Sequence, residues 1–236
     1  MPYYFRTNDF WLSIWPIIIG MILCALASAN VNATFKRYSN EHNSRGITGA
    51  QAARQILDGN GLYNVAIEMV SGKLSDHYDP KANVIRLSES VYNSTSVAAI
   101  GVAAHECGHA VQHATDYTPI RIRQAIIPIT NIGSRLWYII FIVGLALIST
   151  SFGEVMITIG IIMFALVVLF QVVTLPVEFN ASRRAMATLE DYNILEGDEL
   201  SKAGKVLRAA AMTYVAAVAN ALLQLLRLLA IANRKK

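Results

Sequence analysis

The sequence predicts an α+β membrane protein, mostly α-helical, with about three transmembrane helices, a C-terminal apolar helix and a small β-sheet. Three observations carry this. Of 236 residues, 54% are hydrophobic and 15% charged, where an ordinary soluble domain carries about 25% charge. Three apolar runs have the length of a bilayer-crossing helix. Between the first run and the second, residues 30–135 mix polar loops, β-rich stretches and helical periodicity.

The first run, residues 11–29, reads WLSIWPIIIGMILCALASA. Pro16 is tolerated in a membrane helix, and Trp11 and Trp15 suit the interface. The competing reading is a cleaved signal peptide, since Ala27-Ser28-Ala29 resembles an A-x-A site, although the run is long for a signal core. The anchor is therefore assigned to residues 1–30.

The mixed region, residues 31–135, opens with TGAQAARQIL at residues 48–57. It is expected to be a helix capped by Thr48 and closed around Gly59 and Gly61. Residues 65–70 and 84–87 read as short strands, and SGKLSDHYDPKA between them reads as a polar loop. Residues 97–113 read as an Ala-rich helix. The loop around Asp76, His77 and Asp79 offers cation ligands, but a polar hairpin loop explains it better.

Two further apolar runs, 136–152 and 155–175, are separated only by Gly153 and Glu154. They form a helical hairpin that crosses and returns. After Pro176, which suits a helix start, residues 176–236 carry PVEFNASRRA and a last apolar stretch at 207–231. Within it Thr213, Asn220, Gln224 and Arg227 share one helix face, consistent with a helix docked at the interface.

Charge sets the orientation. Ten of the twenty Lys and Arg residues lie between 30 and 135 and five between 176 and 208, whereas the hairpin turn has none and the N-terminal segment only Arg6. The positive-inside rule then places both polar segments in the cytosol of a multi-pass plasma-membrane protein. A spanning last helix would leave Arg234-Lys235-Lys236 outside, which favours docking. The net charge is only +4, and the basic residues form no patch interleaved with aromatics. Nucleic acid is not an expected partner; the bilayer is. Cys24 and Cys107 sit in unrelated contexts and are not expected to form a disulfide.

The chemistry concentrates in AAHECGHAVQH, residues 103–113. On a helix, His105 and His109 project from one face and can hold one Zn2+ through their imidazoles. Glu106, about 100° around from His105, can reach the metal's water without ligating. Zinc lowers the pKa of its water to about 7. Glu106 would take the proton as the water attacks a peptide carbonyl, then hand it to the leaving amine. Cys107 falls near the opposite face and is not taken as a ligand. Gly108 leaves room for close backbone packing or for substrate. His113 reads as a neighbouring polar group, and Leu57-Asp58-Gly59 as a helix stop.

A third ligand is required, and Asp116, Glu154, Glu178, Glu190 and Asp191 are candidates. Glu154 is a bilayer away and Asp116 is too close in sequence. Glu178 returns with the hairpin to the histidine side and is the expected ligand. The competing reading is a helix-start glutamate that favours the macrodipole. These features predict a membrane-anchored zinc-dependent metallopeptidase (a hydrolase) acting on a protein or peptide substrate, membrane proteins among them. The alternative is a non-catalytic zinc-binding membrane scaffold or assembly factor. Glu106 argues against it, since a structural site closes with protein ligands and needs no base. An intramembrane protease is disfavoured because the motif helix is flanked by polar segments.

AAHECGHAVQH together with PVEFNASRRA after an apolar hairpin resembles the YugP-type family of neutral zinc metallopeptidases over nearly the whole chain. NVIRLSESVY and AAAMTYVAAVANALLQLLRLL extend the likeness. It is more distantly similar to HtpX-type membrane proteases, in which a glutamate in an E-x-x-A-D helix completes the site. The resemblance implies a zincin-like (gluzincin) catalytic core, zinc on His105, His109 and Glu178, and Glu106 as base. It also implies an edge strand at residues 83–88 that pairs with substrate, making Asn83, Ile85 and Leu87 substrate-binding candidates. Where the HtpX-type pattern has an aspartate, this chain has Ser182. The group orienting a zinc-bound imidazole must then come from elsewhere, or a hydroxyl or water takes its place. Arg183, Arg184, Tyr192 and Tyr214 remain open as oxyanion stabilisers.

Overall fold

The structure is a computed structural model that describes residues 7–72 and 75–233. Arg6 and the Arg234-Lys235-Lys236 tail, which bear on orientation, lie outside the described residues. The elements in order are α1 (Thr7–Tyr38), α2 (Gly49–Gly59), β1 (Ala66–Val70), β2 (His77–Asp79), β3 (Val84–Ser88), α3 (Glu89–Tyr92), α4 (Val97–Ala114), α5 (Thr118–Ala146), α6 (Ser151–Asp191) and α7 (Gly197–Asn233).

Contacts group these elements into two compact units. The polar unit holds residues 27–121 and 176–213. Its helices start where local chemistry dictates. Thr48 and Gln51 form a reciprocal capping box at α2, and Ser96 caps α4 by accepting from the Ala99 amide. The sheet order is β1-β3-β2, with β1 parallel and β2 antiparallel to β3. Ile56 and Leu57 of α2, Ile85 and Leu87 of β3, Ile100 of α4 and Leu189 of α6 are all at most 1% exposed and meet in one core. Each contributes about 1.5–3 kcal/mol by burial. That core fixes α4, the motif helix, from several sides.

Two expectations about β structure change. The predicted loop at residues 71–82 contains strand β2, and β3 is the central strand, so residues 83–88 do not form an edge. Burial on both sides of β3 follows from its composition, since Val84, Ile85 and Leu87 are apolar and wholly enclosed. Asn83 precedes it in a turn at φ 54, a backbone region asparagine tolerates well.

The apolar unit takes in residues 122–175, 214–233 and those up to 26. Here large apolar side chains face outward: Met21, Leu26, Phe152 and Leu226 are each more than 60% exposed. Such surface has no place in water and matches lipid. Among the described residues, α1, α5, α6 and α7 are each long and apolar enough to cross a membrane. The count is thus four, against the three expected with a docked last helix. The reason lies in the polar stripe of α7. A Cβ at Gly20 of α1 would collide with Asn220, and the Cys24 thiol approaches the Ala216 carbonyl at 3.8 Å. Asn220 of that stripe therefore faces α1.

The hairpin also differs in detail. Its turn falls at residues 147–150, so Gly153 and Glu154 belong to the first turn of α6. Pro176 does not start a helix; α6 runs through it without a break. Proline removes one backbone hydrogen bond but leaves the rest of a long, packed helix in place. Pro16 and Pro128 are likewise interior, in α1 and α5.

Candidate metal centre

The site is built where α4 meets α6 in the polar unit. Gly108 makes the approach close: a Cβ there would lie 2.5 Å from the Ala181 carbonyl oxygen. Backbones that near bring the side chains of the two helices onto one point. His105 and His109, one turn apart on α4, turn their Nε2 atoms toward Glu178 on α6. Glu178 Oε2 lies 3.3 Å from His105 Nε2 and 3.6 Å from His109 Nε2. Ligand atoms about 2.1 Å from a tetrahedral zinc are about 3.4 Å apart, so each imidazole stands from the carboxylate at about the distance two ligands of one ion require. The three residues form a group able to hold a metal, with donor atoms within 4.8 Å of one another. Glu178 is 2% exposed. A helix-start role for it disappears with the unbroken α6.

Each imidazole is held from behind. The Ser182 hydroxyl lies 3.1 Å from His105 Nδ1, so of the alternatives the sequence left open it is a hydroxyl that meets this imidazole. Gln112 Oε1 lies 3.0 Å from His109 Nδ1. The Gln112 amide nitrogen donates to the Val177 carbonyl at 2.8 Å and to Asn180 Oδ1 at 3.0 Å. Asn180 Oδ1 also accepts from Arg184 Nε at 2.9 Å. The carbonyl can only accept, so the amide nitrogen faces α6 and its oxygen faces the histidine. His109 Nδ1 then carries the proton, and Nε2 presents a lone pair to the metal position.

Burial disfavours charge on His109, but its bond to Glu178 and the nearby Glu106 carboxylate outweigh this and hold its pKa above the usual histidine range. A field that favours positive charge on this imidazole also favours a bound cation. The donor set, two imidazoles and a carboxylate, fits zinc with an open fourth position.

Glu106 is 8% exposed and does not join the ligand group. The Tyr78 backbone amide in β2 donates to its Oε2 at 3.1 Å. This aims the carboxylate while one oxygen remains to take a proton. β2 is itself pinned: Arg86 of β3 binds Asp79 at 2.8 Å, and the Ser88 amide binds Asp76 at 2.7 Å. The Asp79 carboxyl is pulled down to about 2, first by its bond to Arg86. Asp76 and Asp79 thus brace the sheet, as expected of a structural loop.

Of the sequence-predicted residues, His105, His109 and Glu178 converge, and Glu106 sits beside them. The substrate-binding candidates do not: Ile85 and Leu87 are 0% exposed, and Asn83 bonds Tyr78 and the Asn64 carbonyl in its turn. An inward β3 side chain cannot touch a substrate. Among the oxyanion candidates, Arg184 is engaged by Asn180 and Tyr117. Tyr192 packs on Gly59 and Asn60 at the end of α2. Cys107 faces away, toward the Ala53 carbonyl. His113 stacks edge-on against Tyr78, and Asp58 pairs with Arg54 on α2. Sequence reasoning missed Tyr78 and Gln112. Gln112 was within reach, since i+3 from His109 is a helix neighbour. Tyr78 carried no signal.

A family model described as "Putative neutral zinc metallopeptidase" matches residues 13–233. The chain belongs to this family. Among curated proteins, "Putative membrane protease YugP" of Bacillus subtilis (strain 168) is 45% identical over 216 residues, covering 92% of this chain and 94% of that protein. No solved structure matches. Membership in the neutral zinc metallopeptidase family and the converged His105, His109 and Glu178 agree on zinc as the metal.

Proposed function

We propose that the chain is a membrane-anchored zinc endopeptidase of the gluzincin type, with its catalytic centre on the cytosolic side of the plasma membrane. The observation that carries this is the convergence of three zinc-type ligands beside a carboxylate that does not ligate. His105, His109 and Glu178 hold the ion. Zinc, when bound, supplies a Lewis acid that acidifies a water to a pKa of about 7 and polarises the scissile carbonyl. Glu106 accepts the proton of the attacking water and delivers it to the leaving nitrogen. Gln112 and Ser182 hold the imidazoles in place. An extended substrate lies along β2, the edge strand whose Tyr78 amide points at Glu106.

The cytosolic placement follows from charge. Fifteen Lys and Arg residues lie within 30–135 and 176–208. With a crossing α7 the other side would hold Arg6 and three C-terminal basic residues, and fifteen outweigh four. Glu178 comes three residues after the apolar stretch that ends at Leu175, about 4.5 Å along one helix. Membrane proteins, or segments emerging from the membrane, are therefore the proposed substrates.

The test is cleavage of a fluorogenic peptide by purified protein. Glu106→Gln should lower kcat by about 10²–10⁴-fold and retain zinc, while Glu178→Ala should lose zinc on dialysis. Zinc retention without any cleavage by the wild type, across a broad peptide library, would favour a metal-binding scaffold instead.

A further inference from the structure

We propose that a basic cavity between α1 and α7, within the polar unit and apart from the metal centre, binds the phosphate-bearing head of an anionic membrane phospholipid. The cavity has a volume of about 320 Å³, at the low end of small-molecule sites. Two helical stripes face each other across it. On α1, Asn30, Thr34 and Arg37 recur at spacings of four and three; on α7, Lys205 and Arg208 are three apart, so each set shares one face. Three cations from two helices thus converge on one space, with a neutral amide and a hydroxyl beside them.

Their charge is only partly compensated by the protein, since Asp198 feels Lys205 without forming an ion pair with it. Lys202, one turn from Lys205, takes up the nearby carboxylates: it pairs with Glu41 and, at 2.6 Å, with Asp198. Among the described residues no carboxylate forms an ion pair with Arg37, Lys205 or Arg208. Arg37 lies over the Tyr38 ring, 5.5 Å from its centroid, which orders the guanidinium without neutralising it. Like charges gathered in this way repel one another unless an anion joins them.

Position along the chain selects the anion. Arg37 follows the apolar run of α1 that ends at residue 29 by eight residues, about 12 Å along the helix, and Lys205 and Arg208 flank residue 207, where that of α7 opens. The cavity therefore sits just beyond the apolar segments of two membrane-length helices, within reach of lipid head groups. Its wall is partly apolar, with Met212 and Ala209 continuing toward the lipid-facing part of α7. Charge that merely enforced topology would need no shared cavity and no neutral donors. This arrangement offers guanidinium groups to a phosphate and an apolar wall to the glycerol and first acyl carbons.

Native mass spectrometry of the full chain in nonionic detergent tests this, with phosphatidylglycerol, phosphatidylcholine and inorganic phosphate as separate probes. One phosphatidylglycerol per chain should be retained at a concentration that leaves phosphatidylcholine unbound. Arg37→Gln should weaken retention about fivefold, and a separate Lys205→Gln/Arg208→Gln double variant more than that. Lys81→Gln, on an exposed turn elsewhere, should change nothing. The two pocket variants alter different helices, and an unchanged far-ultraviolet spectrum identifies those that fold. Equal retention of the two lipids overturns the proposal, as does wild-type retention by the pocket variants. Displacement of the lipid by millimolar inorganic phosphate also overturns it, since that marks a simple phosphate site.

Discussion

The side-chain amide of Gln112 donates to the Val177 carbonyl at 2.8 Å, and this bond settles the orientation of a histidine on another part of the site. It ties α4 to α6 one residue before Glu178 and fixes the amide oxygen on His109. Replacing Gln112 by leucine keeps the bulk but removes both functions. Zinc affinity should fall about 10–100-fold, the usual effect of losing a partner behind a metal ligand. A chelator-competition titration checks it. Wild-type zinc affinity in Gln112→Leu would show that packing alone positions His109.

Ser182 sets up a second prediction. Its hydroxyl faces His105 Nδ1 at 3.1 Å. Ser182→Ala should weaken zinc binding by about tenfold, the lower end of such effects. Ser182→Asp places a carboxylate behind the same nitrogen, makes the imidazole a stronger donor and should tighten zinc relative to Ser182→Ala. If the alanine and aspartate variants bind zinc equally, the hydroxyl does not orient His105.

Gly108→Ala separates two opposing effects. Alanine gains about 1 kcal/mol of helix propensity over glycine. The new Cβ, however, would meet the Ala181 carbonyl oxygen at 2.5 Å and its carbon at 3.1 Å, both backbone atoms that cannot swing aside. Overpacking of this kind costs about 1–3 kcal/mol. The helices should move apart, lowering the melting temperature and zinc content together. A rise in melting temperature with full zinc would contradict the close crossing.

Cys107 lies inside the histidine motif and yet is 0% exposed. Burial, reinforced by the Glu106 charge, pushes its thiol far above the ordinary range, so it stays protonated and unreactive at neutral pH. In a Cys24→Ala background, a maleimide should label no cysteine in the folded protein and one after denaturation. Rapid labelling of the folded protein would place Cys107 in the cleft instead.

What could be read from the sequence follows from how local each signal is. The cap at Thr48 and the Ala-rich α4 depend on neighbouring residues and stand where expected, and each apolar run lies within a helix. The zinc ligands on α4 are also local, being one helical turn apart. Glu178 needed a topological step, the return of the hairpin; its carboxylate does meet the two histidines, although the hairpin turn and the role of Pro176 were misplaced. The identity of the edge strand was not legible. His77-Tyr78-Asp79 has no apolar alternation, and its strand conformation depends on pairing with β3 and on Arg86, seven residues beyond Asp79, rather than on its own residues. The path of α7 was also hidden, because a polar stripe reads alike whether it faces water or another helix.

The unbroken course of α6 from the hairpin into Glu178 has a consequence for synthesis. A ribosome that has made His105, Glu106 and His109 must still make the rest of α4, all of α5 and most of α6 before the last ligand exists. At about 5–20 residues per second that interval is on the order of 10 s. Throughout it the nascent chain carries two of the three ligands, and α5 and most of α6 emerge before the third. Chain order alone thus postpones completion of the ligand set until the apolar helix α5 and most of α6 have been made.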